Sequence, residues 1–380
     1  MLLKDIAVAI GRKQNNMFTY PIEKQRKYIE KLGKPADEIE RGYFQYCCQM
    51  KLYRWPLFAL LNVAALPLSL LYLLRFGKKQ IAPEEKAECI FFYYGLPENI
   101  IPNTLRKRYS QIRFVQDSDT CIDDDDLKFL KKIFKRYPFS WMLWLKVIIK
   151  IARYSGAIKR YAPGAILCCN EYSFTSSVMT KYCREKGVRL INTMHGEKLY
   201  CMRDSFVCFD EYYVWNEHYK NLLVELGAEP TQFRVEVPDS LKIPANSEVQ
   251  KEYDFTYYLG EEDNRTLATI ASLLSRLKAK GYKVAIRPHP RYADMDEVKQ
   301  LFAGFYVEDS RNLSIERSLQ QTKNAMSLYS TVLMQAHYSG IDVVIDDVSA
   351  PREYAKLKEL RYFLLAAKHK LLSEILAQAQ

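Results

Sequence analysis

The side chains best suited to chemistry follow directly after short apolar stretches that we predict to be strands. Val284 to Ile286 is β-branched enough for a buried strand, and Arg287-Pro-His-Pro290 comes next. Because two prolines cannot continue a sheet, a guanidinium and an imidazole are held where the strand ends. Ligands bind at this end of open parallel sheets. We therefore predict that Arg287 pairs with a phosphate or forms a salt bridge, and that His289, beside Pro290, hydrogen-bonds a phosphate or ribose.

A second site of the same kind follows the predicted strand Ala325 to Leu328. Ser330 and Thr331 open the next predicted helix, where hydroxyls and free backbone N–H groups favour anions. Gly260 follows the first strand of the same series and would let the backbone approach a phosphate closely. Glu316, at the start of another predicted helix, fits either a ribose contact or a helix-dipole role. Two phosphate-type sites on one sheet predict a bound nucleotide.

Three candidate bases come from an earlier series of strands. His195 and Glu197 follow the predicted strand Val188 to Thr193, and Glu171 follows the predicted strand Ala165 to Cys169. An imidazole acts as a general base near neutral pH, and a carboxylate does so when its pKa is raised. Any of the three could deprotonate an acceptor hydroxyl. The alternative is a loop histidine beside two solvated carboxylates.

Strands that alternate with helices position all of these residues. From Glu88 to about 240 the pattern gives six short strands, and a second series of strands and helices runs from Asp254 to Ile345. Such alternation predicts parallel sheets covered on both faces. We expect an α/β protein with two doubly wound Rossmann-type domains facing across a cleft. The predicted divisions are a helical region 1–86, domains 87–240 and 250–350, and C-terminal helices 351–380.

The helical region contains an apolar segment, Trp55 to Leu74, that has no charged residue and nearly the length needed to span a bilayer. Three interpretations stay open: an interfacial or re-entrant hairpin broken at Pro67, a buried helix, and a true span. The stretch Phe139 to Tyr154 carries three basic residues on one stripe, typical either of an amphipathic helix at a membrane surface or of a core helix with a solvated edge.

Composition narrows the function classes further. The chain has 380 residues and a formal net charge of +11, which favours anionic lipid or phosphorylated partners, and no nucleic-acid-binding motif is evident. Its nine cysteines show no metal-ligand spacing, and no secretory signal opens the sequence. We expect a reducing cytoplasm, no metal, no nucleic-acid partner, and a peripheral location on the cytoplasmic face of the inner membrane.

The combination of His195-Gly196, Arg287-Pro-His-Pro290 and Ser330-Thr331 resembles bacterial GT-B glycosyltransferases of surface polysaccharide synthesis. The His-Pro and Ser-Thr pairing is similar to that of sialyl-, polysialyl- and Kdo-transferases, where it holds a cytidine nucleotide. The His-Gly and Arg-Pro-His-Pro pattern is also similar to that of teichoic-acid glycerophosphotransferases, which use CDP-glycerol. The resemblance covers about residues 165 to 350. The chain departs from the sialyltransferase pattern because Asn170-Glu-Tyr172 stands where an acidic-Asp-Gly segment is expected.

This resemblance implies a membrane-associated, inverting, metal-independent glycosyltransferase of GT-B type. It would move a sugar from a nucleotide-sugar donor, with a CMP-sugar favoured, to a surface-polysaccharide or lipid-linked glycan acceptor such as a precursor of capsule or lipopolysaccharide. No cofactor beyond the donor is expected. Two alternatives stay open: a CDP-glycerol-type glycerophosphotransferase, and a non-catalytic membrane-associated scaffold of the same fold.

Overall fold

A computed structural model describes residues 20–53, 55–77, 80–93, 98–116, 119–244, 249–290 and 295–378. The described residues contain two parallel six-stranded sheets with flanking helices, which confirms the prediction of two doubly wound Rossmann-type domains. One compact unit holds the described residues up to His195 together with Tyr200–Glu236, and the other holds Gly196–Leu199 and the described residues from Val237 onward. The basic residues Arg54, Lys78, Lys79 and Arg291, and the start of the chain considered for a signal sequence, lie outside the described residues.

The first unit begins with three helices and continues as alternating strands and helices. In chain order its elements are α1 (Ile22–Leu32), α2 (Glu38–Leu52), α3 (Trp55–Phe76), β1 (Cys89–Phe92), α4 (Asn103–Arg108), β2 (Ile112–Val115), α5 (Asp124–Arg136), α6 (Trp141–Tyr161), β3 (Ala165–Cys168), α7 (Ser176–Glu185), β4 (Arg189–Thr193), β5 (Glu211–Val214), α8 (Glu217–Glu225) and β6 (Phe233–Val235). All six strands are parallel, in the order β2-β1-β3-β4-β5-β6.

Strands β1, β3 and β5 of the first sheet are buried along their whole length, and β4 is buried after its first residue, as a parallel sheet covered on both faces requires. One side chain from each of four neighbouring strands builds part of the core: Phe91, Leu167, Ile191 and Tyr213. Since neither face of these strands meets water, their sequences are apolar throughout, and this is the pattern that predicted them.

The second unit repeats the alternation. Its elements are β7 (Tyr253–Tyr258), α9 (Asn264–Ala279), β8 (Val284–Arg287), α10 (Met295–Leu301), β9 (Tyr306–Val307), α11 (Ile315–Gln321), β10 (Thr322–Ser327), α12 (Thr331–Tyr338), β11 (Asp342–Ile345), α13 (Pro351–Glu359), β12 (Lys370–Leu371) and α14 (Leu372–Gln378). The parallel strand order is β12-β11-β10-β7-β8-β9. Its core includes Tyr257, Ile286, Met326 and Val344 on the central strands, together with Leu274 on α9.

The apolar segment of the N-terminal region is one continuous helix, α3, and the predicted hairpin break at Pro67 is wrong. Proline removes a single intrahelical hydrogen bond, and the helix runs through it for 22 residues. The buried-helix interpretation is also wrong, because 11% of its most apolar window is buried. Among the described residues, α3 is the helix long and apolar enough to cross a membrane.

The basic stripe of α6 is partly solvated: Lys146 is exposed, and Lys150 and Arg153 are half-buried, as the alternative of a core helix with a solvated edge predicts. The Lys146 ammonium lies 4.4 Å from the ring centroid of Phe174, and the Arg153 guanidinium lies 4.7 Å from that of Phe92. Lys150 lines a small cavity, and burial lowers its pKa to about 8. The stripe is therefore a partly solvated edge, on which the Lys146 and Arg153 cations lie over aromatic rings.

One further prediction of local structure needs correction. The C-terminal stretch 351–380 is predicted to be helical, but Lys370–Leu371 pairs with β11 as a short edge strand. Helix α5 begins at Asp124, because Asp123 and Asp126 form a reciprocal capping box. The acidic run there is thus a helix start, in which the buried Asp126 also accepts hydrogen bonds from Ser155 and Tyr182.

Candidate active site

Strand order marks the carboxyl edge of the first sheet as the place where a ligand is expected. The chain starts the sheet at β1, adds β2 on one side and then β3 to β6 on the other. In open parallel sheets, ligands bind where the order reverses, which here is between the ends of β1 and β3. Glu171 follows β3 and His195 follows the adjacent β4. Both predicted bases therefore lie at this edge.

Glu171 and His195 form a pair. Glu171 Oε1 lies 3.1 Å from His195 Nδ1, with the Glu171 side chain 0% exposed and the His195 side chain 25% exposed. Asn192, in β4, donates from Nδ2 to the second carboxylate oxygen of Glu171 at 3.2 Å. The two atoms lie within ion-pair distance but outside hydrogen-bond geometry. The arrangement places a partly exposed imidazole beside a buried carboxylate.

Helix α2 holds the loop that carries Glu171. Gln45 Nε2 donates to the backbone carbonyl oxygens of Glu171 and Arg203, and Gln49 Nε2 donates to those of Tyr172 and Arg203. These four hydrogen bonds, from 2.7 to 3.2 Å, tie two loops to one helix face. Gly42 allows this approach, since a Cβ there would lie 2.6 Å from Val178 Cγ2.

Sequence reasoning missed this support. The signal that would have found it is a pair of glutamines four residues apart in a helix, since two long amides on one face are able to bond a loop. Two further residues beside His195 were also missed, namely Tyr172 and Arg203.

Tyr172 and Arg203 give the surface around the pair an aromatic face and a cation. Tyr172 is 46% exposed, and its ring centroid lies 5.8 Å from that of His195. The Arg203 guanidinium lies 5.9 Å from the Tyr172 centroid and pairs with the buried Asp204 at 2.9 Å. The charge of Asp204 raises the pKa of Arg203, which stays charged at any physiological pH. This part of the edge thus combines an exposed ring, an imidazole and a guanidinium that is paired with a buried carboxylate.

Glu197, the third candidate base, belongs to the other unit. The short segment Gly196–Leu199 is part of the second unit, whereas His195 is part of the first. Within the second unit, burial and the charge of Glu197 raise the pKa of the Tyr362 phenol well above its ordinary value. The structure brings Glu171 and His195 together and places Glu197 with Tyr362.

The second unit has its own reversal of strand order, between β7 and β10. Gly260 follows β7, Ser330 follows β10, and His289, followed by Pro290, comes after β8 beside β7. The predicted nucleotide-binding residues therefore follow three neighbouring strands at one edge. His289 is half-buried, while Pro290 and Thr331 are exposed.

Two backbone N–H groups at this edge donate hydrogen bonds to side chains of the same unit. The Ser330 side chain accepts a hydrogen bond from the backbone N–H of Val332 at 3.2 Å and caps α12. The backbone N–H of Gly260 donates to Glu262 Oε2 at 2.7 Å. Burial raises the pKa of Glu262, and the nearby charge of Asp346 adds to the effect. A carboxylate thus occupies a backbone donor that a phosphate would also use.

Arg287 takes part in a buried network. Its Nη1 donates to Glu308 Oε2 at 2.9 Å and its Nη2 donates to the Leu313 carbonyl oxygen at 2.8 Å. Ser318 Oγ donates to the other carboxylate oxygen of Glu308. The salt-bridge alternative for Arg287 is therefore present in the structure, and its phosphate contact stays a prediction. Glu316 is exposed in the first turn of α11, a position that suits either of its predicted roles.

Among the described residues, no group of three or more His, Cys, Asp or Glu side chains is arranged to hold a metal ion. The nine cysteines are free thiols, most of them buried, and burial raises the pKa of Cys168 to about 12. These thiols are core side chains.

No protein-family model matches the chain, and no curated protein matches it. Solved structures similar to it include the UDP-GlcNAc 2-epimerase from Neisseria meningitidis bound to UDP-GlcNAc, at 11% identity and a TM-score of 0.45, covering 78% of this chain and 90% of that one. The wall teichoic acid polymerase TagF is similar at 10% identity and a TM-score of 0.45, covering 84% and 86%. The epimerase from Methanocaldococcus jannaschii, in complex with UDP-GlcNAc and UDP, follows at 11% identity, a TM-score of 0.40, and coverage of 75% and 93%.

These neighbours are enzymes that act on nucleotide-linked substrates. At this level of similarity they do not assign an activity to the present chain.

Proposed function

We propose that this chain is a GT-B-type transferase that uses a nucleotide-activated donor. The observation that carries the proposal is the proximity of His195 to the buried Glu171 at the carboxyl edge of a parallel sheet, next to its reversal point. A histidine oriented by a carboxylate, beside an exposed aromatic ring, suits deprotonation of a hydroxyl. The second unit supplies the features of a nucleotide site on three neighbouring strands.

In the proposed reaction, His195 Nε2 takes the proton of the acceptor hydroxyl while that oxygen attacks the anomeric carbon of the donor sugar. The bond between this carbon and the leaving phosphate oxygen breaks, and the nucleotide departs with the electron pair. Ser330, the N–H groups at the start of α12 and His289 would stabilise the phosphate. A single displacement of this kind inverts the anomeric centre. In a glycerophosphotransferase the same base would serve attack at phosphorus.

A CMP-linked sugar is the proposed donor, on the resemblance of His289-Pro290 and Ser330-Thr331 to the cytidine-binding motifs named above. The proposed acceptor is a surface-polysaccharide or lipid-linked glycan. Neither assignment follows from the sheet geometry alone, so the first test concerns the nucleotide.

Thermal melting of the purified chain with CMP, CDP, UDP or GDP is the test. A nucleotide present at a hundred times its dissociation constant stabilises the folded state by about 2.7 kcal/mol. We expect a shift with CMP or CDP, its loss in Ser330→Ala and His289→Ala, and its retention in His369→Ala, a matched half-buried histidine elsewhere in the second unit. A chain that no nucleotide stabilises would overturn the proposal in favour of a non-catalytic scaffold.

A further inference from the structure

Helix α3 leaves a large apolar surface uncovered. Its buried residues are Ala65, Ser69 and Phe76, which form one narrow stripe. Leu70, Leu71 and Leu74 are 56%, 61% and 81% exposed, and Trp55 at the other end is 76% exposed. Outside α3, Phe139 at the start of α6 is 77% exposed. A contiguous apolar surface of this kind marks a protein or membrane interaction site.

The helix is fastened lengthwise to the first unit. Asn62 Nδ2 donates to the Phe139 carbonyl oxygen at 2.9 Å, and Asn62 Oδ1 accepts from the Met142 backbone N–H at 3.0 Å. At the other end, the Phe76 carbonyl oxygen accepts from the Ile122 backbone N–H at 2.9 Å. Between these points α3 packs along α6. The helix cannot turn away from the unit without breaking these bonds.

This fastening decides between crossing a bilayer and lying on it. A helix that crosses about 30 Å of hydrocarbon would carry α6 in with it. Lys146, Lys150 and Arg153 of α6 would then enter the membrane, which is costly for ionisable side chains. A helix held side-on, with its free face apolar, instead lies in the plane of one leaflet.

Charge at the ends of the helix favours an anionic leaflet. Lys51 precedes α3 and Arg75 lies in its last turn, and both are exposed. The chain as a whole carries a net charge of +11. Basic side chains that flank an apolar face attract acidic lipid headgroups.

An aromatic chain of contacts connects this face to the candidate base. Phe58 of α3 packs edge-on against Tyr46, with ring centroids 6.1 Å apart, and Tyr46 packs against Phe174 at 5.1 Å. Phe174 lies in the same loop as Glu171 and Tyr172. The loop that orients His195 is therefore close to the part of the unit that would touch lipid.

We propose that α3 and Phe139 dock the first unit in the plane of one anionic leaflet, so that His195 meets an acceptor anchored in that leaflet. The acceptor part rests on the proposed function, whereas the docking does not. The chemical class that fits is a hydroxyl-bearing head group, such as a sugar, on a lipid carrier.

Flotation of the full chain with preformed vesicles tests the docking. We expect binding to phosphatidylcholine vesicles to strengthen about tenfold or more when phosphatidylglycerol is added. Leu70→Asp/Leu74→Asp should lose the binding, and Val235→Asp, which also charges an exposed apolar position, should keep it. Unchanged binding by the double variant would overturn the proposal. So would a self-associated chain that ignores vesicles and is dissociated by the same substitutions, because α3 would then face a second copy.

The depth of α3 in the bilayer distinguishes a helix that lies in the plane of one leaflet from a helix that spans the membrane. Position 68 is near the middle of α3, so in a spanning helix Leu68→Trp would be quenched best by lipids labelled at the acyl-chain end. For a helix in the plane we expect stronger quenching by lipids labelled near the headgroup, and the opposite order would refute it. The rise in melting temperature that a nucleotide gives should be the same in Leu70→Asp/Leu74→Asp as in wild type. This result would show that the variant is folded, and it separates failure of docking from failure of the proposed function.

Discussion

Replacing Arg287 by Met separates two roles that the Arg-Pro-His-Pro motif allows for this side chain. The guanidinium and the Glu308 carboxylate are both buried, and the substitution removes the cation while the Ser318 hydroxyl still donates to that carboxylate. Removing one member of a buried ion pair costs about 3–5 kcal/mol, because the other charge stays buried and uncompensated. Domains are stable by about 5–15 kcal/mol in total, so the loss is a large fraction. The Leu313 carbonyl oxygen also loses its donor.

A double-mutant cycle isolates the pair. Glu308→Gln alone removes the charge that Arg287 balances, and the two substitutions together should cost less than the sum of the two alone. We expect a coupling of about 0.5–3 kcal/mol, as for residues in one network. Lys356→Met is the matched control, since Lys356 pairs with Glu359 on the surface of the same unit and should change stability by less than about 1 kcal/mol.

Urea unfolding followed by far-ultraviolet circular dichroism measures these changes. All four tryptophans lie in the first unit, so tryptophan fluorescence reports that unit and serves as an internal reference. Arg287→Met could lower the free energy of unfolding by less than about 1 kcal/mol and also abolish the rise in melting temperature that a nucleotide gives. That result would refute the structural role and assign Arg287 to the ligand.

Three further predictions follow from the sites. Glu171→Gln should lower turnover by about 10²–10⁴-fold with an unchanged KM for the donor, because an amide N–H toward His195 disfavours the tautomer with a free Nε2; a loss confined to KM would contradict this. Glu262→Gln should tighten CDP binding about threefold to tenfold in calorimetric titration, because a carboxylate no longer competes with phosphate for the Gly260 N–H; weaker binding would argue against that competition. Burial lowers the pKa of Lys150 from 10.5 to about 8, so the folded state binds fewer protons than the unfolded state between those values, and the free energy of unfolding should rise with pH there by at most about 3 kcal/mol. In Lys150→Met that rise should vanish from urea unfolding curves, and an identical rise in wild type and variant would disprove the assignment.

The two sheets were predictable because a parallel strand buried on both faces must be apolar throughout. The strands that contain Phe91, Leu167 and Ile286 are predicted from their apolar runs for this reason. The edge strand Lys370–Leu371 lacks that signal, because a strand of two residues with an exposed lysine resembles the end of a helix. The helix break predicted at Pro67 is wrong for a related reason. Proline predicts a break from local chemistry, whereas packing along α6 holds the helix together.

The proximity of Glu171 and His195 could not be predicted, since it depends on strand order. His195 and Glu171 are separated by 24 positions, and they meet because β3 and β4 are neighbours in register, with Cys168 opposite Asn192. That register also brings the Asn192 amide to the Glu171 carboxylate. Glu197, two residues from His195 in sequence, is in the other unit. Proximity in sequence therefore does not reveal that Glu171 lies beside the imidazole, since the sheet brings the two together, and Asn192→Leu should impair the same step as Glu171→Gln.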